Sequence, residues 1–391
     1  MRRLILAIYV VIFVDEVALL CVVPLVPVYT HHLGLSKFEA GAYLSAASLA
    51  IVVASIPAGL LADRFGARRV TLAAVVLLAV SNVIQAYASN LPELLAGRVA
   101  FGVASATVWT ATVTWLSDSA SDRRRTSVIG AVVAVAGTGG MVGPAFAGVV
   151  AQHLSVRAVF LSIAVASAAM LAVLLALPLG GQAPHPHQPV AAVWRVARGE
   201  PLIVAGIVIM LLGGLSDAVV NLLGSLELTA DGLSISATGL VFSAAAGIFI
   251  ASSALVSRIG GRAVSVRSAG VAALLQAATL TPVFVSLATA PVAAMVLVRF
   301  AVVAWPYTIG LPLGALGARR RGVGTATVNG FLGLAWGGAN FVGAPLAGFT
   351  AGIAGDRAAY GLLLACCVGS GMWLLRRPSD VEPVAPAPAA P

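Results

Sequence analysis

Long apolar runs separated by short polar turns make up almost the whole chain of 391 residues. The runs reach or approach the roughly 20 residues that an α-helix needs to cross the hydrocarbon core of a bilayer. The pattern therefore predicts twelve membrane-spanning helices in two sets of six. The first set lies near residues 4–29, 40–61, 70–89, 92–116, 127–150 and 158–179, and the second near 201–226, 237–256, 267–288, 291–316, 323–349 and 357–375.

Two stretches interrupt or end this pattern and define the predicted domains. Residues 180–200 are polar and proline-rich, which predicts an irregular cytoplasmic linker. The linker separates an N-terminal six-helix half, 1–179, from a C-terminal six-helix half, 201–376. Residues 377–391 end in an alternation of alanine and proline and predict a disordered cytoplasmic tail.

Short motifs recur in the same order in the two halves. Arg98 recurs as Arg299, and Gly143-Pro144 recurs as Gly343-Ala344-Pro345. Such repeats are typical of transporters in which two helical halves enclose a binding site near the membrane midplane. The sequence therefore predicts an all-α, pseudo-symmetric membrane bundle.

Composition supports an integral membrane protein and excludes several other classes. The chain is 60% hydrophobic and 9% charged, with a mean hydropathy of +1.02, whereas soluble domains carry about 25% charged residues. The net charge of +9 does not indicate nucleic-acid binding, because the arginines are scattered between apolar runs. The three cysteines lie in apolar runs and predict neither a disulfide framework nor a metal site. No phosphate-binding loop or nucleophile–base pattern predicts an ATP-driven pump or an enzyme.

The basic residues predict the orientation of the chain. With the N-terminus in the cytoplasm, eighteen arginines fall on the cytoplasmic side, and only Lys37, Arg157 and Arg357 fall on the other side. This bias favours two cytoplasmic termini, and the arginine-rich composition indicates a bacterial inner membrane. Glu227 and Asp231 are predicted to lie in a solvated external loop.

Adjacent carboxyl groups at Asp15 and Glu16 lie halfway along the first span. An ionisable residue at the centre of a spanning helix costs at least about 2.5 kcal/mol, so two of them indicate function. A buried carboxyl group can take up or release a proton near neutral pH. We therefore predict a proton-coupling or substrate role, with Asp15 favoured; the structural alternative is a satisfied ion pair.

Arg98 lies inside the fourth span and Arg299 inside the tenth. A guanidinium group stays charged, so each requires a carboxylate partner or water. An acid that alternately pairs with Arg98 and releases a proton would couple transport to protons. The alternative is a static ion pair.

Several residues are predicted to line a substrate cavity together with Arg299. Asp217 and Asn221 lie four residues apart in the seventh span and therefore share one helical face. Trp109, Trp336 and Asn340 also fall inside spans, where they can contact a ligand or face lipid. Trp305 and Tyr307 are further aromatic candidates.

A charged turn joins the second and third spans. It reads Gly59-Leu60-Leu61-Ala62-Asp63-Arg64-Phe65-Gly66-Ala67-Arg68-Arg69. One carboxylate and three guanidinium groups are costly in hydrocarbon, so the turn lies at a membrane surface or is buried in protein.

Glycines and one proline pattern the fifth span as Gly130-x8-Gly139-x3-Gly143-Pro144-x2-Ala147-Gly148. Glycines let helices approach closely, and the proline bends the helix. We predict a kinked, tightly packed seal between helices.

These segments together resemble the major facilitator superfamily, and specifically its twelve-helix drug:proton antiporters. The turn at 59–69 resembles the family's Gly-x-Leu-x-Asp-Arg-x-Gly-Arg-Arg/Lys loop, with Ala67 where a basic residue is usual. The fifth span resembles the antiporter motif, with Ala147 in place of a usual glycine. The run Asp15-x8-Pro24-x2-Pro27 resembles the family's first helix.

The resemblance implies roles for individual residues. Arg98 corresponds to an arginine that the family associates with proton transfer. Asp63 is implied to hold the two halves together in an outward-open state, with Asp118 as its relay partner. The implied gating set is Gly59, Asp63, Arg64, Gly66, Arg68 and Asp118.

The resemblance predicts a secondary active transporter that exports a small organic molecule, such as a drug or metabolite, in exchange for protons. Its partners are the substrate, protons and the bilayer. It is expected to be a monomer that uses the proton gradient and requires no cofactor or metal. One alternative is a proton symporter or facilitator for a sugar or other nutrient, and a second is a non-transporting receptor or scaffold.

Overall fold

The structure of the protein is a computed structural model that describes residues 2–119, 122–176, 190–259 and 264–377. The regular elements in these ranges are helices. The first half contains α1 (Arg2–Leu20), α2 (Val26–Leu33), α3 (Lys37–Phe65), α4 (Ala67–Tyr87), α5 (Leu91–Ser119), α6 (Asp122–His153) and α7 (Val156–Leu175). The remainder contains α8 (Val190–Ala197), α9 (Pro201–Ala230), α10 (Ile235–Ile259), α11 (Val266–Thr279), α12 (Thr281–Val285), α13 (Thr289–Arg321), α14 (Thr325–Ala354) and α15 (Asp356–Leu375).

The helices form the predicted membrane bundle. In the described ranges, eleven spans are long and apolar enough to cross a bilayer, with α1 and α2 counted as one span and α11 and α12 as another. The twelfth, α14, has 30 residues. It packs against α3 and α9 inside the bundle. The prediction of an all-α, twelve-helix membrane fold is confirmed.

Prolines break two spans that the hydropathy pattern treats as continuous, the first span and the ninth, where Pro282 lies at the start of α12. In the first span α1 ends at Leu20, a 3-10 turn covers Val23–Leu25, and α2 starts at Val26. Pro24 is the second residue of the turn, and Pro27 is the second residue of α2. Proline has no N–H group to continue a helix, so it is tolerated at a helix start and breaks the ladder elsewhere.

The two halves meet along two seams, α3 against α14 and α6 against α10. Glycines make both seams close. A Cβ atom on Gly41 would lie 2.9 Å from the backbone nitrogen of Pro345, and one on Gly148 would lie 2.7 Å from the carbonyl oxygen of Ile235. These contacts lie at the end of the bundle that carries Lys37, Arg157 and Arg357, which we call the arginine-poor end.

The seams separate toward the opposite, arginine-rich end, which carries Arg64, Arg258 and Arg319. On α14, a Cβ atom placed on Gly330 or Gly333 would have no atom of the described residues within 4 Å. On α3, one placed on Gly59 would approach only Thr110 of its own half. The apolar side chains of Leu60 and Phe65 are exposed there. Among the described residues, the two halves are therefore in close contact at the arginine-poor end and further apart at the arginine-rich end, which we call the closed and the open end.

Part of the predicted linker is helical. α8 lies within 180–200, and Trp194 packs edge-on against Phe331 of α14, with ring centroids 5.1 Å apart. Glu200 is buried and accepts a 2.6 Å hydrogen bond from Arg321. Residues 177–189 of the linker region and 378–391 of the predicted tail lie outside the described residues.

Candidate functional site

Asp15 is fully enclosed in the first half, at 0% exposure. Its Oδ2 atom accepts a 2.8 Å hydrogen bond from the Ser105 hydroxyl of α5, and no partner of the described chain reaches its Oδ1 atom. The Trp109 side chain lies beside both Asp15 and Glu16. Among the described residues, no arginine, lysine or histidine forms an ion pair with either carboxyl group.

Glu16 is half-buried and packs on the glycine face of α6. A Cβ atom on Gly139 would lie 2.9 Å from the Cβ atom of Glu16, and one on Gly143 would lie 2.8 Å from the carbonyl oxygen of Val17. Gly139 and Gly143 thus press α6 against the helix that carries both acids.

The same helix also reaches the other half. Gly148 approaches α10, and the backbone N–H of Ala145, next to Pro144, donates a 2.8 Å hydrogen bond to the Ser243 hydroxyl of α10. Gly139, Gly143 and Gly148 therefore lie at close contacts of α6 with α1 and α10. The side chains at 117–130, which include Asp118 and Gly130, lie outside the described residues.

Arg98 is almost fully buried at 1% exposure. Its guanidinium carbon lies 5.0 Å from the centroid of the Phe101 ring and 5.8 Å from that of Tyr43. No carboxylate of the described chain forms an ion pair with it, and its Nε and Nη1 atoms have no hydrogen-bond partner there. Its observed contacts in the described chain are therefore cation–π contacts with aromatic rings of α3 and α5.

Arg98 and Asp15 are separated along α5. Ser105, the partner of Asp15, lies seven residues after Arg98, which corresponds to about 10 Å of helix rise. Asp15 of α1 therefore lies level with a point on α5 that is two helical turns away from Arg98.

An ion-paired cluster occupies the second half, in which only the Nη1 atom of Arg299 lacks a hydrogen-bond partner among the described residues. Arg299, with 0% exposure, forms an ion pair with Asp217 and donates a 2.8 Å hydrogen bond from Nε to the Ser216 hydroxyl. The Oδ2 atom of Asp217 also accepts hydrogen bonds from Tyr307 at 2.7 Å and Trp336 at 3.1 Å. Three helices, α9, α13 and α14, supply this cluster.

The remaining cavity candidates lie near the two clusters. Asn221 is half-buried one turn after Asp217, and Asn340 is half-buried one turn after Trp336. The Nδ2 atom of Asn340 has no partner in the described chain. A cavity of about 640 Å³ lies further toward the arginine-rich end, where residues from Thr308 to Arg319 line it, and none of the predicted cavity residues contributes to its lining. Sequence reasoning missed Ser105 and Ser216, because a serine in a spanning helix carries no signal without its partner.

The turn at 59–69 lies at the open end. Asp63 and Arg64 are exposed, and Gly66 adopts a left-handed φ of 85°, which favours glycine, while its N–H bonds the carbonyl of Ala62 at 2.9 Å. Ala67 is fully buried at the start of α4. A basic side chain in its place would be buried, which gives a physical reason for this departure from the family's loop.

The prediction for Glu227 is wrong. Glu227 does not lie in a solvated loop; it is buried at 6% exposure and accepts a 3.0 Å hydrogen bond from the Tyr360 hydroxyl of α15. Asp231, one turn further, is exposed. The error arises because α9 continues to Ala230, so its last turn packs beneath α15.

Comparison with known proteins supports this architecture. The sequence model of the Major Facilitator Superfamily matches residues 6–337. The MFS-type transporter ppzB of Metarhizium rileyi is 32% identical over 136 residues, which span 35% of this chain and 27% of that protein. The quinolone resistance protein NorA of Staphylococcus aureus is 26% identical over 152 residues, 39% of each protein. The chain thus spans well under two thirds of these relatives.

A solved D-xylose-proton symporter has a similar fold. It superposes with a TM-score of 0.75 at 15% identity, covering 96% of this chain and 98% of the symporter.

Proposed function

The chain belongs to the Major Facilitator Superfamily, and we propose that within it this transporter exports a small organic molecule in exchange for protons. The protein is a multi-pass membrane protein. The proposal places it in a bacterial inner membrane with both termini in the cytoplasm, so that the open, arginine-rich end faces the cytoplasm. The proposed function is that of the family's drug:proton antiporters, and the partial similarity to NorA is consistent with this function.

The observation that carries the proposal is the contrast between Asp15 and Asp217. Asp217 has a cation and two hydrogen-bond donors, whereas Asp15 has one serine hydroxyl and an oxygen without a partner in the described chain. An enclosed carboxylate without a cation is unfavourable, so Asp15 requires either a proton or a bound cation. These two occupants exclude each other, which is the requirement for exchange.

The proposed cycle follows from this competition. In the open form, a substrate with a cationic group enters from the arginine-rich end and displaces a proton at Asp15 or Glu16. Rocking of the halves exposes the acids to the other side, where protons replace the substrate. Gly139 and Gly143 hold α6 against α1, so a change at the acids acts directly on the α6–α10 seam. The aromatic side chains of Trp109 and Trp336 supply apolar contact surface.

The test uses proteoliposomes loaded with a pH-sensitive dye and a panel of lipophilic cations, such as tetraphenylphosphonium, together with neutral compounds. We expect at least one cation to drive protons in the opposite direction. Asp15→Asn or Glu16→Gln should reduce this counterflow at least tenfold. Asp231→Asn, an exposed carboxyl in a turn, is the matched control and should behave as the unmodified protein.

Two results would overturn the proposal. Movement of protons and substrate in the same direction would establish symport. Unchanged proton counterflow in both Asp15→Asn and Glu16→Gln would remove the coupling role of this pair.

A further inference from the structure

Glu227 is a buried carboxyl group that the proposed export cycle does not use. Its Oε2 atom accepts the hydrogen bond from Tyr360, and its Oε1 atom is buried without a hydrogen-bond partner in the described chain. Tyr360 itself is fully buried. A carboxylate with one oxygen unsatisfied is unfavourable at such a site, whereas a protonated carboxyl group carries no net charge.

An ion pair between the two halves lies beside Glu227. Lys37, at the start of α3, pairs with Asp356, at the start of α15. Both side chains are close enough to Glu227 to act on its charge, Asp356 unfavourably and Lys37 favourably. An ionised Glu227 would therefore leave two carboxylates to share a single ammonium group.

No other described charge compensates this imbalance. α14 has no ionisable residue, and the charged residues of α10 and α11 lie at the arginine-rich end. On α13, Arg299 is held by Asp217, ten residues before Glu227 on α9 and thus about 15 Å away along the helix. His31 and His32, at the end of α2, are exposed and pack against each other, and Arg357 is exposed.

Glu227, Lys37 and Asp356 lie at the arginine-poor end, where the two halves are in close contact. Gly348 of α14 abuts the first turn of α3, where a built Cβ would lie 2.8 Å from the backbone nitrogen of Phe38. Lys37 is thus fixed at the α3–α14 seam while its partner Asp356 begins α15. Separation of the halves at this end would break the Lys37–Asp356 pair and admit water to Glu227.

We propose that Glu227 is the proton-binding site of an outer gate formed by Lys37, Asp356 and Tyr360. Glu227 holds a proton while the arginine-poor end is closed. It releases that proton when the end opens and the cluster is hydrated. Protons on that side of the membrane therefore favour closure, and alkaline conditions favour opening.

The direction of this pH dependence follows from the difference in bound protons between the closed and open forms. The closed form binds one proton more than the open form, so the ratio of open to closed protein rises by up to about tenfold per pH unit across the range in which Glu227 titrates. Asp231, four residues later, provides a contrast. Two hydrogen bonds from Thr289, from its hydroxyl at 2.5 Å and its backbone N–H at 2.6 Å, hold the pKa of Asp231 below its ordinary value. Asp231 therefore stays ionised throughout the experiment.

The gate is tested without substrate, by distance measurement between two spin labels at the arginine-poor end. Leu154 follows α6 in the first half, and Val285 ends α12 in the second half; their side chains are 76% and 82% exposed. Labelled cysteines at these positions, with Cys366 changed to alanine, report separation of the halves. The full-length protein is measured from mildly acidic to mildly alkaline buffer.

We expect the long-distance population to grow with rising pH, and Glu227→Gln to remove this growth and to keep the end closed. Asp231→Asn should retain the dependence on pH. The comparison is repeated in an Asp15→Asn/Glu16→Gln background, where any remaining dependence no longer involves the proposed coupling acids. Failure of the gate and failure of the export proposal are thus distinguishable.

A pH-independent distance in the unmodified protein would overturn the proposal. An equal dependence with Glu227→Gln would do the same. A second measurement does not depend on opening of the gate: in the Asp15→Asn/Glu16→Gln background, an infrared band of a protonated carboxyl group in acidic buffer should be lost with Glu227→Gln and kept with Asp231→Asn. Retention of the full band in Glu227→Gln would show that Glu227 carries no proton.

Discussion

Asp15 and Asp217 have different partners, and this difference predicts that the same substitution, aspartate to asparagine, lowers the unfolding free energy by different amounts at the two positions. Asp217→Asn removes the negative charge that compensates Arg299, a side chain with 0% exposure. The arginine then keeps the hydrogen bond to Ser216, a contact with the Phe300 ring, 4.8 Å from its guanidinium carbon, and a hydrogen bond to a neutral amide oxygen, with no opposite charge. Breaking a buried ion pair in this way costs about 3–5 kcal/mol of unfolding free energy.

Asp15→Asn should cost far less. If Asp15 carries a proton in the substrate-free protein, asparagine has nearly the same shape and charge, and its amide oxygen can still accept the Ser105 hydrogen bond. The expected cost is about that of one perturbed hydrogen bond, 0.5–1.5 kcal/mol. The two substitutions should therefore differ by about 1.5–4.5 kcal/mol.

Equilibrium unfolding in mixed micelles, followed by tryptophan fluorescence and circular dichroism, measures this difference. A double variant completes the design: Asp217→Asn with Arg299→Met removes both charges and should cost less than the sum of the two single variants by about 3 kcal/mol or more. Equal costs for Asp15→Asn and Asp217→Asn would refute the assignment of Asp217 as the static pair. Additive costs in the double variant would refute the strength of that pair.

Three further predictions concern packing and the seams. Gly143→Val places a side chain against the backbone of α1 and should lower transport at least tenfold, whereas Gly333→Ala, at an open position, should transport normally; a substrate uptake assay compares them. Ala67→Arg should destabilise the fold by several kcal/mol, because the residue is fully buried; thermal unfolding measures this loss. Gln152→Ala removes the 3.0 Å hydrogen bond to the backbone of Ser236 across the α6–α10 seam. The loss of about 1 kcal/mol should raise the open-to-closed ratio at the arginine-poor end about fivefold in the spin-label measurement.

Hydropathy alone was sufficient for the fold because each span is defined by a local run. The pattern correctly separates α3 from α4 at Gly66, where a left-handed glycine ends one helix. It does not reveal the break after Leu20, because the residues on both sides of Pro24 remain apolar in lipid and in protein alike. Span length and order are local properties, whereas a kink depends on backbone hydrogen bonds that composition does not report.

The site was predictable only as far as single residues. The sequence identifies Asp217 and Arg299 as unusual residues inside spans, but their pairing with Tyr307 and Trp336 requires three helices to meet at one point. Glu227 shows the opposite failure. Its polarity at the end of an apolar run indicates a loop, yet the buried hydroxyl of Tyr360 satisfies one of its oxygens. Long-range partners decide whether an acid is solvated or enclosed.

The internal repeat explains why the chemistry is concentrated in one half. A shift of 201 positions carries Arg98 onto Arg299 and Asp15-Glu16 onto Ser216-Asp217. In the second half, the arginine forms an ion pair with Asp217 and donates a hydrogen bond to Ser216. In the first half, the arginine lies against aromatic rings, and the acid is held by a serine two turns away. At these repeated positions the charges of Asp217 and Arg299 compensate each other, whereas Asp15 keeps an oxygen without a partner in the described chain. In the proposed export cycle, the first-half position therefore binds the proton or cation, and its second-half counterpart is a static ion pair.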